Sequence, residues 1–273
     1  MKNSNKKRKN SCLSFLLFLI LLFFAFLIGA FFLTGGSIKD IPFKDLEISK
    51  PDAVKQVEKE IDTSSSSFSR FIDIKGEVNK KVNKKTYISL DEMPFFIKYA
   101  VISAEDKRFY SHFGIDIEGI ARASLVNIQE GEIVQGGSSL TQQLAKNLFL
   151  SNERSYFRKG EELILALLLE KNYTKDEILE IYLNSVYFGS GAYGISEASY
   201  IYFDKNPIDL NLAECAMLAG LLTAPSLNSP YVDFDTAKKR QALVLDAMAK
   251  QSFISPDLAN KAKSVKIRLK EDN

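Results

Sequence analysis

One acidic residue and a nearby polar cluster contain the side chains of this chain whose types and spacing could perform chemistry. Glu105 stands at the end of a predicted helix, and residues 136–147 read Gly-Gly-Ser-Ser-Leu-Thr-Gln-Gln-Leu-Ala-Lys-Asn. On a helix, Ser138, Gln142 and Lys146 would share one stripe, because residues four apart are neighbours on the helix surface. Hydroxyl, amide and ammonium groups along such a stripe suit hydrogen bonds to sugar hydroxyls or to a phosphate. A solvated helix face has the same pattern, so this segment alone does not decide between the two readings.

A second polar cluster lies just before a very apolar run. Arg158, Lys159 and Glu162 fall within about one helical turn of each other, and residues 163–169 are all apolar. A carboxylate with two cations at the start of a buried helix is either an ordinary surface ion pair or a site that holds an anionic group beside a positioned acid.

Several familiar chemistries are excluded by composition. His112 is the single histidine, and no G-x-S-x-G motif accompanies it, so a serine–histidine relay is not supported. One histidine with the two distant cysteines, Cys12 and Cys215, cannot build the usual zinc sites. Residues 189–194 match G-x-G-x-x-G, but a capped helix precedes them and no βαβ unit surrounds them, so we interpret them as a turn that packs backbone close to a helix.

Charge and composition restrict the class of protein further. The chain has 273 residues, of which 46% are hydrophobic, and this content excludes a wholly disordered protein. Residues 1–11 carry five of the 36 basic side chains and no acid, so the rest has 31 basic and 34 acidic residues. The net charge of +2 therefore comes from a basic tail, and no nucleic-acid partner is expected.

The segment after this tail predicts a membrane anchor. Residues 12–34 contain no charged side chain, and a helix of that length would extend about 34 Å, enough to cross a hydrocarbon core of about 30 Å. A cleaved secretory signal is the less favoured alternative, because the apolar run is too long and no clear cleavage site follows. With either reading the N-terminus stays cytoplasmic and the remainder crosses the membrane, because the flanking cations lie on the N-terminal side.

The remaining chain is predicted as one mostly α-helical domain that positions the two polar clusters. Residues 35–85 are polar and irregular and are interpreted as a stalk. Residues 136–138 are interpreted as a turn and N-cap, and Thr174 begins a capping box. Helices are predicted at about 94–105, from the cap at 136–138 to about 148, and at about 158–171, 178–184, 211–222, 235–250 and 256–264.

Taken together, five segments in order resemble the peptidoglycan glycosyltransferases of family 51, the lipid II polymerases. The five are Glu105-Asp106-x-x-Phe109-x-x-His112-x-Gly114, residues 136–147, Arg158-Lys159-x-x-Glu162, residues 178–184 and residues 187–195. The resemblance extends from about residue 87 to about residue 250. It implies a lysozyme-like, two-lobed glycosyltransferase fold behind a single N-terminal transmembrane helix. Because 273 residues leave no room for a transpeptidase domain, we expect a monofunctional member of the family.

The resemblance also implies a domain plan, a location and partners. The expected plan is a cytoplasmic tail (1–11), a transmembrane helix (12–34), a stalk (35–85), a glycosyltransferase domain (86–255) and a C-terminal helix and tail (256–273). The catalytic domain would lie outside the cytoplasm on a single-pass protein of the cell membrane. Expected partners are lipid II, the growing glycan, membrane lipid and other proteins of cell-wall synthesis. No cofactor is required, with Mg²⁺ or Mn²⁺ as an optional helper.

Residue roles follow from the same resemblance. Glu105 is expected to be the catalytic base, and Glu162 to position the leaving-group region. The residues expected to contact sugar or phosphate are Asp106, Ser138, Thr141, Gln142, Gln143, Lys146, Asn147, Arg158 and Lys159. A buried structural role for His112 competes with a direct one.

Two other functions remain open from the sequence. A lysozyme-like hydrolase or lytic enzyme could use one acidic glutamate in an α-rich fold. A non-catalytic wall-binding module on a membrane tether is the other, although the presence of both Glu105 and Glu162 argues against it.

Overall fold

The computed structural model of the protein describes residues 70–132, 136–150 and 156–270, with the side chains of residues 156 and 157 left out. The described residues belong to one compact unit, Thr63–Asn273. The predicted basic tail, the predicted anchor at 12–34 and most of the predicted stalk lie outside the described residues. Within the described ranges, no helix combines the length and the apolar character needed to cross a membrane.

The described part of the chain is mostly helical, as the sequence predicts. Its helices are α1 (Ile74–Lys81), α2 (Phe95–Glu105), α3 (Ile117–Glu130), α4 (Leu140–Phe149), α5 (Tyr156–Asn172), α6 (Lys175–Ser185), α7 (Gly194–Phe203), α8 (Leu212–Leu221), α9 (Phe234–Lys250) and α10 (Pro256–Ser264). Two short antiparallel strands, β1 (Tyr187–Gly189) and β2 (Ala192–Tyr193), join α6 to α7.

Side-chain caps determine where several of these helices begin. Thr174 caps α6 with the predicted capping box, in which its side chain accepts a hydrogen bond from the backbone of Glu177. Helix α4 begins one residue later than predicted, because its N-cap is Ser139 and not Ser138. The physical reason is that a capping box needs Gln or Glu three residues after the cap, and Gln142 stands at that distance from Ser139.

Helix α8 forms the centre of the hydrophobic core. Every residue from Leu212 to Leu221 is buried, and the helix packs against α9 and α2. A second set of contacts packs α4 against α5 and α6. Core packing therefore holds the C-terminal end of α2 and the start of α4 in place. It also holds α5, which carries the second polar cluster.

Two α-helices of the described ranges were not assigned from the sequence. Helix α1 lies within the segment 35–85 that was predicted as a stalk, and it buries Ile74 and Val78 in the core. Helix α3 lacks the usual buried stripe, because Ala123 is its one buried residue while side chains such as Leu125 and Ile128 are exposed.

The glycine-rich turn packs backbone close to a helix, which confirms the interpretation of residues 189–194. Gly194 has φ of +82°, and a Cβ atom there would lie 2.5 Å from the carbonyl oxygen of Asn184 in α6. Gly189 has φ of +91°, and its Cβ would lie 2.3 Å from the carbonyl oxygen of Pro225. Both positions require glycine for space as well as for conformation.

Candidate active site

Glu105 lies in a cleft between helices that the core holds in place. It is the last residue of α2, and it lines a cleft of about 440 Å³ together with Gln143 and Lys146 of α4. Thr223, which follows α8, and Arg240 of α9 line the same cleft. The core contacts of α2 with α8 and α9 therefore position these groups around one carboxylate.

Both oxygen atoms of Glu105 have hydrogen-bond donors. Gln143 Nε2 donates to Oε2 at 2.8 Å, and Thr223 Oγ1 donates to Oε1 at 3.5 Å. Burial raises the pKa of the Glu105 carboxyl above its ordinary value, although the bond from Gln143, the charge of Arg240, the bond from Thr223 and the charge of Lys146 oppose that rise. A carboxylate with a raised pKa is a stronger base, which suits proton abstraction near neutral pH.

The lining of the cleft carries more positive than negative charge. Its acidic side chains are Glu105, Asp106 and Asp116, and its basic side chains are Lys107, Arg122, Lys146 and Arg240. Backbone at Gly136 and Gly137 completes one wall. A cationic cleft around a single reactive carboxylate favours an anionic ligand such as a phosphate ester.

Asp106 joins two of the helices that build the cleft. Its carboxylate is buried, lies 2.9 Å from Nε2 of His112, and accepts a hydrogen bond of 2.9 Å from the backbone N–H of Leu140. His112 is buried as well, and its Nδ1 has no partner among the described residues. Asp106 therefore has a structural role, which the sequence indicated as an alternative for His112 only.

The second predicted cluster forms a connected network beside the cleft. Glu162 is buried and accepts hydrogen bonds from Arg158 Nη1 at 3.2 Å, from Lys159 Nζ, and from Gln142 Nε2 at 3.4 Å. Lys159 also donates to the hydroxyl of Ser138 at 2.9 Å, and Ser138 is exposed on the cleft wall. The two clusters that the sequence separates are thus linked through Ser138 and Gln142.

Five of the nine predicted contact residues are not among the residues that line the cleft, namely Thr141, Gln142, Asn147, Arg158 and Lys159. Thr141 is fully buried and donates to Glu170 at 2.6 Å, and Gln142 is buried in the capping box of α4. Asn147 is exposed, but it is not among the residues that line the cleft. Among the predicted contact residues of α4, Gln143 and Lys146 line the cleft with Glu105.

Thr223, Arg240 and Tyr182 were missed as site residues from the sequence. Arg240 Nη2 donates to Thr223 Oγ1, which in turn donates to Glu105. Arg240 follows two lysines on a predicted helix, and Thr223 lies in none of the five segments, so no local signal distinguishes either residue. Tyr182 belongs to the fourth segment, where it reads as a core aromatic.

A larger cavity, of about 620 Å³, lies at the C-terminal segment. Its two acidic residues are already in ion pairs, Glu214 with Lys205 at 2.7 Å and Asp204 with Lys270 at 2.8 Å. None of its lining residues belongs to the two polar clusters, so we assign the chemistry to the smaller cleft around Glu105. Among the described residues, no group of three or more histidine, cysteine or acidic side chains is arranged to hold a metal ion.

Comparison with known proteins gives one consistent family. The family model described as Transglycosylase matches residues 73–249. Penicillin-binding protein 1A of Neisseria flavescens is 46% identical over 193 residues, which are 71% of this chain and 24% of that protein. Penicillin-binding protein 1A of Aquifex aeolicus is 43% identical over 192 residues, 70% of this chain and 26% of that protein.

A third relative agrees with these two. Penicillin-binding protein 1F of Bacillus subtilis is 46% identical over 168 residues, 62% of this chain and 24% of that protein. This chain spans about a quarter of the length of these relatives. The family match begins at residue 73 and so includes α1, which agrees with the burial of that helix in the core. The chain therefore belongs to the transglycosylase family, the peptidoglycan glycosyltransferases of family 51.

Proposed function

We propose that this protein polymerises lipid II into β1,4-linked glycan strands for bacterial cell-wall synthesis. The observation that carries the proposal is Glu105, a carboxylate with a raised pKa in a cleft whose lining carries four basic side chains. A base beside a cationic surface suits transfer of a sugar from a pyrophosphate leaving group to a hydroxyl. Membership of the transglycosylase family supports the same reaction class.

Glu105 acts as the general base in this proposal. It removes the proton from the 4-hydroxyl of one sugar while that oxygen attacks the anomeric carbon of the next, and the bond to the lipid pyrophosphate breaks in the same displacement. An α-linked donor then gives a β-linked product with inversion, so no covalent enzyme intermediate is needed. The bond from Gln143 Nε2 holds the carboxylate in one orientation for the attack.

The leaving pyrophosphate needs charge neutralisation more than a strong acid. Lys146 lines the cleft, and Arg158 and Lys159 flank Glu162 next to it. We assign these three cations to the pyrophosphate and Glu162 to their positioning, because its buried carboxylate fixes two of them.

The other predicted contacts divide by burial. Ser138 and Gln143 line the cleft and are assigned to the sugars. Asn147 is exposed one residue beyond Lys146 and is assigned to the outer part of the substrate. Asp106, Thr141 and Gln142 are buried and are assigned to support of the residues that touch substrate.

Membrane attachment and shape complete the proposal. The apolar segment 12–34 would anchor the protein as a single-pass membrane protein with a cytoplasmic N-terminus, so that enzyme, donor and acceptor share one membrane. The two-lobed, lysozyme-like shape and recruitment by other cell-wall synthesis proteins belong to the same proposal.

The candidate functions are distinguished by giving the protein lipid II alone or preformed glycan strands alone. The full chain in detergent, given lipid II alone, is expected to make long glycan. A lysozyme-like or lytic enzyme would leave lipid II unchanged and shorten preformed glycan strands. A wall-binding module would retain the strands without changing the length of either substrate, and either of these results would contradict the proposal.

A further inference from the structure

The amide of Gln143 has a second partner behind it. Tyr182 of α6 is fully buried, and its hydroxyl donates to Gln143 Oε1 at 3.1 Å. On its other side the same amide donates from Nε2 to Glu105 at 2.8 Å. The three side chains therefore form a continuous chain of hydrogen bonds from the core to the carboxylate.

The tyrosine hydroxyl determines which end of the amide faces Glu105. A glutamine amide can rotate to present either its oxygen or its NH₂ group, and the two arrangements occupy nearly the same space. When Tyr182 donates to Oε1, the NH₂ group must point to Glu105, where it stabilises the ionised carboxylate. Without the hydroxyl, the amide is free to turn its oxygen toward the carboxylate, an arrangement that favours protonated Glu105.

The other charged groups near Glu105 cannot replace this bond. Lys146 of α4 and Arg240 of α9 lower its pKa by charge alone, without a hydrogen bond to it. The remaining charged residues of the cleft are Asp106, Lys107, Asp116 and Arg122. Burial and the neighbouring Glu105 raise the pKa of the Tyr182 hydroxyl well above its ordinary value, so it stays a neutral donor.

We propose that Tyr182 is a positioning residue that acts through Gln143 to keep Glu105 ionised and correctly oriented as the base. The proposal rests on the function proposed above for Glu105. It predicts that loss of the Tyr182 hydroxyl, which is not part of the cleft lining, changes the pH dependence of the reaction.

The first test is Tyr182→Phe, which removes the hydroxyl and keeps the ring. The rate of lipid II consumption by the full chain is measured from pH 5.5 to pH 9. We expect the rate to fall by about tenfold at pH 6 but by less than about threefold at pH 9. The reason is that Glu105 is still present but ionises only at higher pH. An equal loss at both pH values would overturn the proposal.

Tyr202→Phe is the matched control. Tyr202 is also fully buried, and its hydroxyl donates to the backbone oxygen of Phe188 at 3.0 Å, so the control loses a buried hydroxyl of the same kind. It is expected to lower thermal stability as much as Tyr182→Phe and to leave the shape of the pH profile unchanged. A shift of the same size in both variants would mean that the effect is structural and would overturn the proposal.

A double-mutant cycle tests whether Tyr182 acts through Gln143. Gln143→Met removes the amide, so adding Tyr182→Phe to it should cause no further change in the pH profile. A further change would show a path that does not use Gln143. If Tyr182→Phe does not fold, Gln143→Met carries the test by itself, with the expectation that it loses more activity at pH 6 than at pH 9.

Direct titration of the Glu105 carboxyl separates this proposal from the proposed function. The side-chain carboxyl carbon is followed by ¹³C NMR and assigned with Glu105→Gln, and no substrate is required. The titration midpoint is expected to rise in Tyr182→Phe and not in Tyr202→Phe. An unchanged midpoint in Tyr182→Phe would overturn the proposal for Tyr182. Failure of the wild-type protein to consume lipid II would instead overturn the proposed function alone.

Discussion

The carboxylate of Asp106 accepts a hydrogen bond of 2.9 Å from the backbone N–H of Leu140, and this contact joins the end of α2 to the first turn of α4. Glu105 precedes Asp106, and Gln143 follows Leu140 by three residues. The position of Gln143 relative to Glu105 therefore depends on the buried hydrogen bond between Leu140 and Asp106.

Asp106→Ala is expected to destabilise the fold by about 2–3 kcal/mol, because it leaves the N–H of Leu140 and the ring of His112 without their acceptor. Urea denaturation measures this free energy of unfolding. Asp235→Ala is the control, because this exposed acid in the first turn of α9 should contribute less than about 1 kcal/mol. Equal losses in the two variants would contradict the joining role of Asp106.

The sequence predicts much of this architecture, because local signals determine most helix ends. The capping box at Thr174 and the Ser255-Pro256 start of α10 are local features, and both caps lie where predicted. Helix α6 begins at Lys175, three residues before the predicted range 178–184. Helix α3 was not assigned, and its apolar side chains such as Leu125 and Ile128 are exposed and do not pack in the core. Helix α1 was missed because two buried residues in a polar segment give no clear period.

Gly194→Ala is expected to destabilise the protein by about 3 kcal/mol or more, because its Cβ would lie 2.5 Å from the backbone oxygen of Asn184 at a positive φ. Gly191→Ala is the control for the cost of a positive φ alone, because Gly191 also has positive φ but no atom would lie within 4 Å of its Cβ. It should lower the free energy of unfolding by about 1–2 kcal/mol. Thermal unfolding compares the two variants. A larger loss at Gly191 would show that close approach to α6 is not the constraint.

Glu162→Ala should lower the free energy of unfolding by about 2–3 kcal/mol, because it removes a buried carboxylate that accepts hydrogen bonds from Arg158, Lys159 and Gln142. Asp246→Ala breaks the ion pair with Lys263, whose acid is 60% exposed, and should cost less than about 1 kcal/mol. Guanidinium denaturation gives both values. If Glu162→Ala were as mild as Asp246→Ala, the cluster would be an ordinary surface pair.

The wild-type rate is expected to fall on the acid side at a pH above the ordinary pKa of a glutamate, because burial raises the pKa of Glu105. Arg240→Gln removes a cation that favours the ionised form, so the acid-side fall should move to higher pH. Lys239→Gln removes an equal charge from an exposed neighbour on the same helix and should leave the profile in place. A fall that moves to lower pH in Arg240→Gln would contradict the electrostatic account of the cleft.

The site could be predicted only as far as its motifs extend. Glu105, Gln143 and Lys146 were identified from sequence and face one cleft. Thr223 and Arg240 reach that cleft through the packing of α2 against α8 and α9, and such tertiary contacts leave no local pattern. The burial of Thr141 and Gln142 could not be predicted either, because a polar residue on a helix is assigned to the surface unless its buried hydrogen-bond partner is known.

Stability and activity should respond to Glu105→Gln in opposite directions. Because the pKa of Glu105 is raised in the folded protein, its ionised form costs folding free energy at neutral pH, and that cost disappears as the pH falls through the raised pKa. The amide variant should therefore be at least as stable as the wild type at pH 7. It should have no such advantage below the pKa of the unfolded chain.

The most direct test of Glu105 as the base of a glycan polymerase is the rate at which the full chain consumes lipid II, measured for wild type and Glu105→Gln under the same conditions. We expect long glycan from the wild type and a rate of lipid II consumption lower by about 10²–10⁴-fold in folded Glu105→Gln. Polymerisation by Glu105→Gln at the wild-type rate would contradict the assignment of Glu105 as the base.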